Sequence, residues 1–166
     1  MRPIVPDQAD QLLSLFREPL VRRYLLDDQL VEREWVEGEI ASSEDRFTRI
    51  GSGLWAVGLS DAPEVVGVVG FREFPDPPPL QLLFAVHPAH WGQGLATEVA
   101  RAICDHAFGD LGFGQISAVT DAPNRASARV LECLGMTLVS GEGAASKVYE
   151  VKRSEWVGPE GADEES

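Results

Sequence analysis

Val86-His87-Pro88-Ala89-His90-Trp91-Gly92-Gln93-Gly94-Leu95-Ala96-Thr97-Glu98 is the segment that decides how this chain folds. An apolar run stops at a proline, two glycines follow one residue apart, and a helical pattern begins. Leu95 and Ala96, Val99 and Ala100, Ile103 and Cys104, Ala107 and Phe108 recur as apolar pairs every four residues. Thr97, Glu98, Arg101 and Asp105 fall on the opposite face, which predicts one long amphipathic helix ending at Gly109 or Gly112. A strand therefore runs through a glycine turn into a helix. The first helical N–H groups lack internal partners, and with the helix dipole they form a site for phosphate groups. Small residues at 92, 94 and 96 let a ligand come close to the backbone, although a tight strand-to-helix connection asks for the same glycines. Two nucleotide motifs do not fit. A P-loop ends in Gly-Lys-Ser/Thr, whereas Leu95 and Ala96 follow Gly94. A dinucleotide fingerprint wants Gly or Ala at 97 and belongs to the first βαβ unit, whereas this turn lies past mid-chain.

Upstream, Leu80–His87 reads as the strand that stops at Pro88. Pro75-Asp76-Pro77-Pro78-Pro79 cannot pair in a sheet, because proline lacks the donor, and must be a loop. Val65–Phe74 is a valine-rich strand buried on both faces, and Leu54–Ser60 is a shorter one, with Asp61-Ala62-Pro63 turning between them. The N-terminal third reads as helices. One carries Leu12, Leu13, Leu15, Phe16 and Leu20 with a break at Pro19, and one runs from about Val31 to Arg49 with Trp35, Val36, Ile40 and Phe47. Downstream come a strand at Gln115–Thr120, a helix with Ala126, Val130, Leu131 and Leu134 ending at Gly135, and strands at Met136–Ser140 and Lys147–Lys152. The expectation is a mixed α/β (α+β) domain whose sheet is mostly antiparallel.

The glycine segment resembles the acyl-CoA-binding motif of GNAT acetyltransferases, Gln/Arg-x-x-Gly-x-Gly/Ala, with Gly94 and Ala96 at the final positions and Trp91 in place of Gln/Arg. Trp-Gly-x-Gly-x-Ala-Thr-Glu is the wording of the RimJ/RimL-like, ribosomal-protein N-acetyltransferase branch. The segment from Asn124 to Met136 is similar to that branch's Asn-x-x-Ser-x-x-Val-Leu-Glu-x-Leu-Gly-Phe/Met. The resemblance spans residues 1 to about 153, with the first strand reduced to Arg2-Pro3-Ile4-Val5.

The resemblance implies a GNAT fold, with a splayed strand pair in the sheet and helices on both faces. It implies acetyl-CoA as cosubstrate and direct transfer of acetyl to an amine acceptor, a protein N-terminus or a small molecule. Backbone groups of Phe84, Ala85 and Val86 would meet the pantetheine arm, and the Val86 N–H would polarise the thioester carbonyl. The small turn residue Gly92 and the amides of Gln93, Gly94, Leu95, Ala96 and Thr97 would surround the pyrophosphate. Asn124 would contact the cofactor arm, and a helix N-cap explains it equally well. Ser127 would protonate the departing thiolate. The tyrosine used for that task elsewhere in the family corresponds to Leu131 here. The family's Glu-x-Gly-Tyr corresponds to Gln81-Leu82-Leu83-Phe84, so its glutamate base is absent and Glu73, His87, Asp121 or ordered water stay open. A non-catalytic acyl-CoA-binding or sensing module is the alternative. Trp35 and Trp55 are candidates for an acceptor cleft or for the core, and Arg125 and Arg129 for the adenosine phosphate or a solvated face.

Composition narrows the rest. The chain has 166 residues and a net charge of −13, from 14 basic and 27 acidic side chains. That balance disfavours unspecific nucleic-acid binding and suits a cationic acceptor or plain solubility. No apolar run approaches the roughly 18 residues that span a bilayer, and Met1–Asp10 has no apolar stretch like that of a secretory signal. A cytoplasmic monomer or homodimer, without membrane or nucleic-acid partners, is expected. Cys104 and Cys133 read as buried free thiols, and His87 and His90, separated by a proline, do not suggest a metal site. The domain is expected at 1–157, with 158–166 as an acidic, disordered tail.

Overall fold

The computed structural model of the chain describes residues 1–60 and 62–158. Asp61 of the expected turn, and residues 159–166 of the expected tail, lie outside the described residues. The elements are β1 (Arg2–Pro3), α1 (Ala9–Arg17), α2 (Pro19–Leu25), α3 (Arg33–Ile50), β2 (Leu54–Val57), β3 (Gly67–Glu73), β4 (Leu80–Val86), α4 (Leu95–Gly109), β5 (Gln115–Asp121), α5 (Arg125–Cys133), β6 (Thr137–Ser140) and β7 (Ser146–Lys152). Strands pair in the orders β1-β2-β3-β4 and β5-β7-β6, every pairing antiparallel. β4 and β5 lie side by side, yet among the described residues no ladder joins them. This is the splayed pair that the resemblance implied.

Alternation along the strands divides the core in two. Trp55, Val57, Val69, Phe71, Leu82 and Phe84 meet Val99, Ile103, Cys104 and Phe108 of α4. Leu54, Ala56, Val68, Leu83 and Ala85 meet Leu12, Leu15, Phe16, Val36 and Ile40 on the other face. Helices thus cover both faces of the sheet, as expected.

One expectation is extended and one changes. The break at Pro19 is present, and a further helix starts from it. The proline pushes Glu18 out of helical geometry (φ −57°, ψ 123°), which stops α1. Pro19 then occupies the first position of α2, where its missing N–H costs nothing. Cys133 is exposed, whereas Cys104 is buried and burial pushes its thiol up to about 12. The reason is local: α5 is nine residues long and fully buries only Leu131, so its last turn stays open to solvent.

Polar contacts hold α3 to β3. The Arg72 guanidinium forks onto Glu39 at 2.8 and 2.7 Å. Arg46, 3 % exposed, donates from Nε to the Phe71 carbonyl at 3.2 Å. Close backbone approach matters at one point. Gly70 has φ +148°, and a Cβ there would overlap the Gly53 carbonyl oxygen. Gly70→Ala is therefore expected to lower stability by about 2 kcal/mol or more in urea denaturation. An unchanged midpoint and slope would contradict the packing described.

Candidate functional site

The register of β3 and β4 decides which backbone groups of β4 are free. Beyond the ends of that ladder, Phe74 N–H donates to Pro79 C=O and His87 N–H to Val66 C=O, both at 2.8 Å. Antiparallel partners alternate between pairs that exchange both backbone bonds and pairs that exchange none. These two bonds fix the phase: Gln81, Leu83 and Ala85 turn their backbone groups to β3. Leu82, Phe84 and Val86 turn theirs to the opposite edge, where β5 has diverged. The Val86 carbonyl accepts the Trp91 indole N–H at 2.7 Å. The Val86 N–H and both groups of Phe84 remain on the open edge. Ala85 differs from its neighbours, since its backbone faces Val68 and its side chain packs on the α1–α3 face of the sheet, so it offers the open edge no backbone group.

The edge runs into the glycine turn. Gly92 and Gly94 have φ +79° and +75°, and a Cβ on either would meet nothing within 4 Å. Backbone conformation, rather than crowding, demands glycine there, and the space beside the turn is open. Gly94 is the N-cap of α4 and no side chain caps it. The first intrahelical bond runs from Glu98 N–H to Gly94 C=O at 3.0 Å. The N–H groups of Gly94, Leu95, Ala96 and Thr97 are therefore the free donors. Gly92 and Gln93, just before them, are exposed.

The facing wall is the junction of β5 and α5. Asn124 N–H donates to the Asp121 carbonyl at 2.9 Å, and Asn124 Oδ1 accepts the Ser127 N–H at 3.1 Å. The capping role of Asn124 is thus present, and it uses only the oxygen of the side-chain amide. Ser127 stands half-buried in the first turn of α5, and Leu131 one turn later is buried.

The three candidate bases part company. Glu73 is held by Arg49 at 2.7 Å on the α3 surface. His87 accepts the Ala89 N–H on Nδ1 at 3.1 Å, and its Nε2 lies 3.9 Å from Glu18. Asp121 closes β5, half-buried, on the face of that strand opposite the core residues Ile116 and Ala118. Burial, and then the negative charge of Asp27, push its pKa up. Asp27 follows α2 at φ +52°, while its neighbour Asp28 is tied to Arg22 at 3.0 Å. Gln81 is buried and donates to the Pro78 carbonyl at 2.9 Å, so the usual glutamate position here carries a structural amide.

Trp55 packs edge-on to Phe47 at 5.3 Å and belongs to the core. Trp35 lines a small hollow with Phe16, Leu25, Leu26 and Phe74. Arg125 and Arg129 are exposed. Among the described residues no group of His, Cys, Asp and Glu is arranged to hold a metal, and no helix is long and apolar enough to cross a membrane. Sequence reasoning missed two participants. Asp27 comes to Asp121 from far away in the chain, and nothing local signals it. The indole of Trp91 could have been suspected from its departure from the motif's usual Gln/Arg.

Comparison with known proteins supplies the family. Residues 1–137 match the acetyltransferase (GNAT) domain family. YkkB of Bacillus subtilis, an uncharacterized protein, is 32% identical over 134 residues, covering 78% of this chain and 76% of its own. An acetyltransferase from Agrobacterium tumefaciens has the same fold, with TM-score 0.77 and 23% identity over 90% of this chain and 88% of that one. So does yncA from Salmonella typhimurium, solved with its cofactor acetyl-CoA, with TM-score 0.72 and 19% identity over 95% of both chains. The chain belongs to the GNAT acetyltransferase family and is an acyltransferase that uses acetyl-CoA.

Proposed function

We propose that this protein is an N-acetyltransferase of the RimJ/RimL-like kind, acting on a primary amine of a protein N-terminus or a cationic small molecule. One observation carries the reading: the open backbone edge of β4 runs directly into the uncapped start of α4. Such a path offers amide partners to an extended arm and then donors to a pyrophosphate. The branch assignment rests on the wording of the two motifs around Trp91 and Asn124.

Acetyl-CoA supplies an acetyl group activated as a thioester. Phe84 and Val86 bind its arm through the open edge, with the Val86 N–H on the thioester carbonyl. The N–H groups from Gln93 to Thr97 hold the pyrophosphate, beside the space that Gly92 leaves open. Asn124 steadies the arm through the amide group that capping leaves over. Asp121 is the base: it takes a proton from the amine as nitrogen bonds to the carbonyl carbon. The carbon–sulfur bond then breaks, and Ser127 passes a proton to the sulfur while taking one from solvent, to which Asp121 releases its own. The negative charges of Asp27 and Asp121, which act on each other, in a chain of net charge −13, favour a cationic acceptor.

Thiol release from acetyl-CoA against a panel of amines and N-terminal peptides tests the activity and identifies the acceptor. Binding without release on any amine would support the sensing module instead. Gly94→Val is expected to weaken CoA binding by at least about tenfold in calorimetry, through backbone strain and loss of open space. Unchanged affinity would misplace the pyrophosphate. A base must be deprotonated, so kcat/KM should fall as pH drops through the pKa of Asp121, which burial and the Asp27 charge raise. Asp121→Asn should remove that limb and slow turnover about 100-fold or more. A limb that persists in the variant would exclude Asp121 as the base.

A further inference from the structure

We propose that Trp91 is a positioning residue for acetyl transfer: its indole N–H holds the end of β4 so that the Val86 N–H is aimed at the thioester carbonyl. This rests on the role given above to Val86. The peptide unit between Val86 and His87 is pinned at both ends. Its N–H donates to the Val66 carbonyl at 2.8 Å, and its carbonyl accepts Trp91 Nε1 at 2.7 Å. The loop that returns Trp91 to this point is itself braced. His90 N–H donates to the His87 carbonyl at 2.9 Å, and Trp91 N–H to the Pro88 carbonyl at 3.1 Å.

Burial does not explain where the indole sits. Trp91 is 50% exposed, among the most exposed large apolar residues of the chain. Its hydrogen bond and the turn place it. Two consequences follow for the reaction. The Val86 N–H shares its peptide unit with the Ala85 carbonyl, which faces β3, while the next unit, at the end of β4, is held by Val66 and Trp91, so the turn fixes the second of the two planes that flank Val86. Stabilisation of a developing oxyanion requires a donor already in place, because a donor that must first be ordered contributes less. The second consequence is electrostatic. The Val86 carbonyl points to the same edge as the Val86 N–H, and bare it would set the negative end of a dipole beside the oxyanion. The indole N–H covers it.

The test replaces Trp91 with benzothienylalanine, which keeps the ring shape and lacks the N–H, and separately makes Trp91→Phe. The readout is the infrared carbonyl band of acetyl-CoA labelled with carbon-13 at the thioester carbon, bound to each protein. Calorimetry with CoA, which lacks the acetyl carbonyl, reports binding separately. The wild type is expected to lower the band frequency relative to free acetyl-CoA. Both variants should lose most of that displacement while retaining CoA affinity. A variant that keeps the wild-type band overturns the role of Trp91 and leaves that of Val86 standing. A wild-type band that matches free acetyl-CoA overturns both. Loss of CoA affinity in proportion to the loss of displacement also overturns the proposal, because the indole would then merely build the binding site.

Discussion

β4 has a ladder partner on one side only, and the rest of the site depends on that. A backbone edge without a partner needs one, because buried N–H and C=O groups are costly to leave unpaired. The chain creates the vacancy by sending β5 to pair with β7 rather than with β4. The register with β3 then selects which amides face the gap. At the carboxyl end of the same strand, the two left-handed glycines turn the backbone into α4. Strand edge and helix N-terminus therefore form one continuous path.

Electrostatics divides between the two substrates. CoA is anionic and the chain carries −13, so the overall field does not draw the cofactor in. In the proposed function its phosphates are held by local backbone donors at the start of α4, where the dipole acts over a single turn. The cationic acceptor proposed above meets the opposite situation, since a cation is attracted both by the net charge of the whole molecule and by the carboxylates of Asp27 and Asp121. The α1–α3 side of the sheet supplies that second environment. It is held to β3 by Arg72 on Glu39 and by the buried Arg46.

Local chemistry made much of this legible from sequence. The turn from Trp91 to Thr97, the four-residue periodicity of α4, the proline-rich loop and the valine-rich strand each carry their own signal, and the structure has them where expected. α2 was hidden because Pro19 ends one helix and starts another, and sequence alone registers only the interruption. The choice of Phe84 and Val86 over Ala85 as open backbone depends on a pairing phase set by β3, which a single strand's sequence does not contain. The burial of Cys133 was overestimated because an apolar position on a short helix need not face a core. The meeting of Asp27 with Asp121, and the reach of Trp91 to Val86, are products of tertiary folding.

Amide hydrogen exchange, resolved residue by residue by NMR along β4, tests the central claim most directly. Without ligand, the N–H groups of Phe84 and Val86 should exchange quickly, while those of Leu83 and Ala85, bonded to β3, exchange slowly. Acetyl-CoA should protect Phe84 and Val86 and leave the other two nearly unchanged. Protection of all four in the free protein, or no response of Phe84 and Val86 to acetyl-CoA at saturation, would contradict the account.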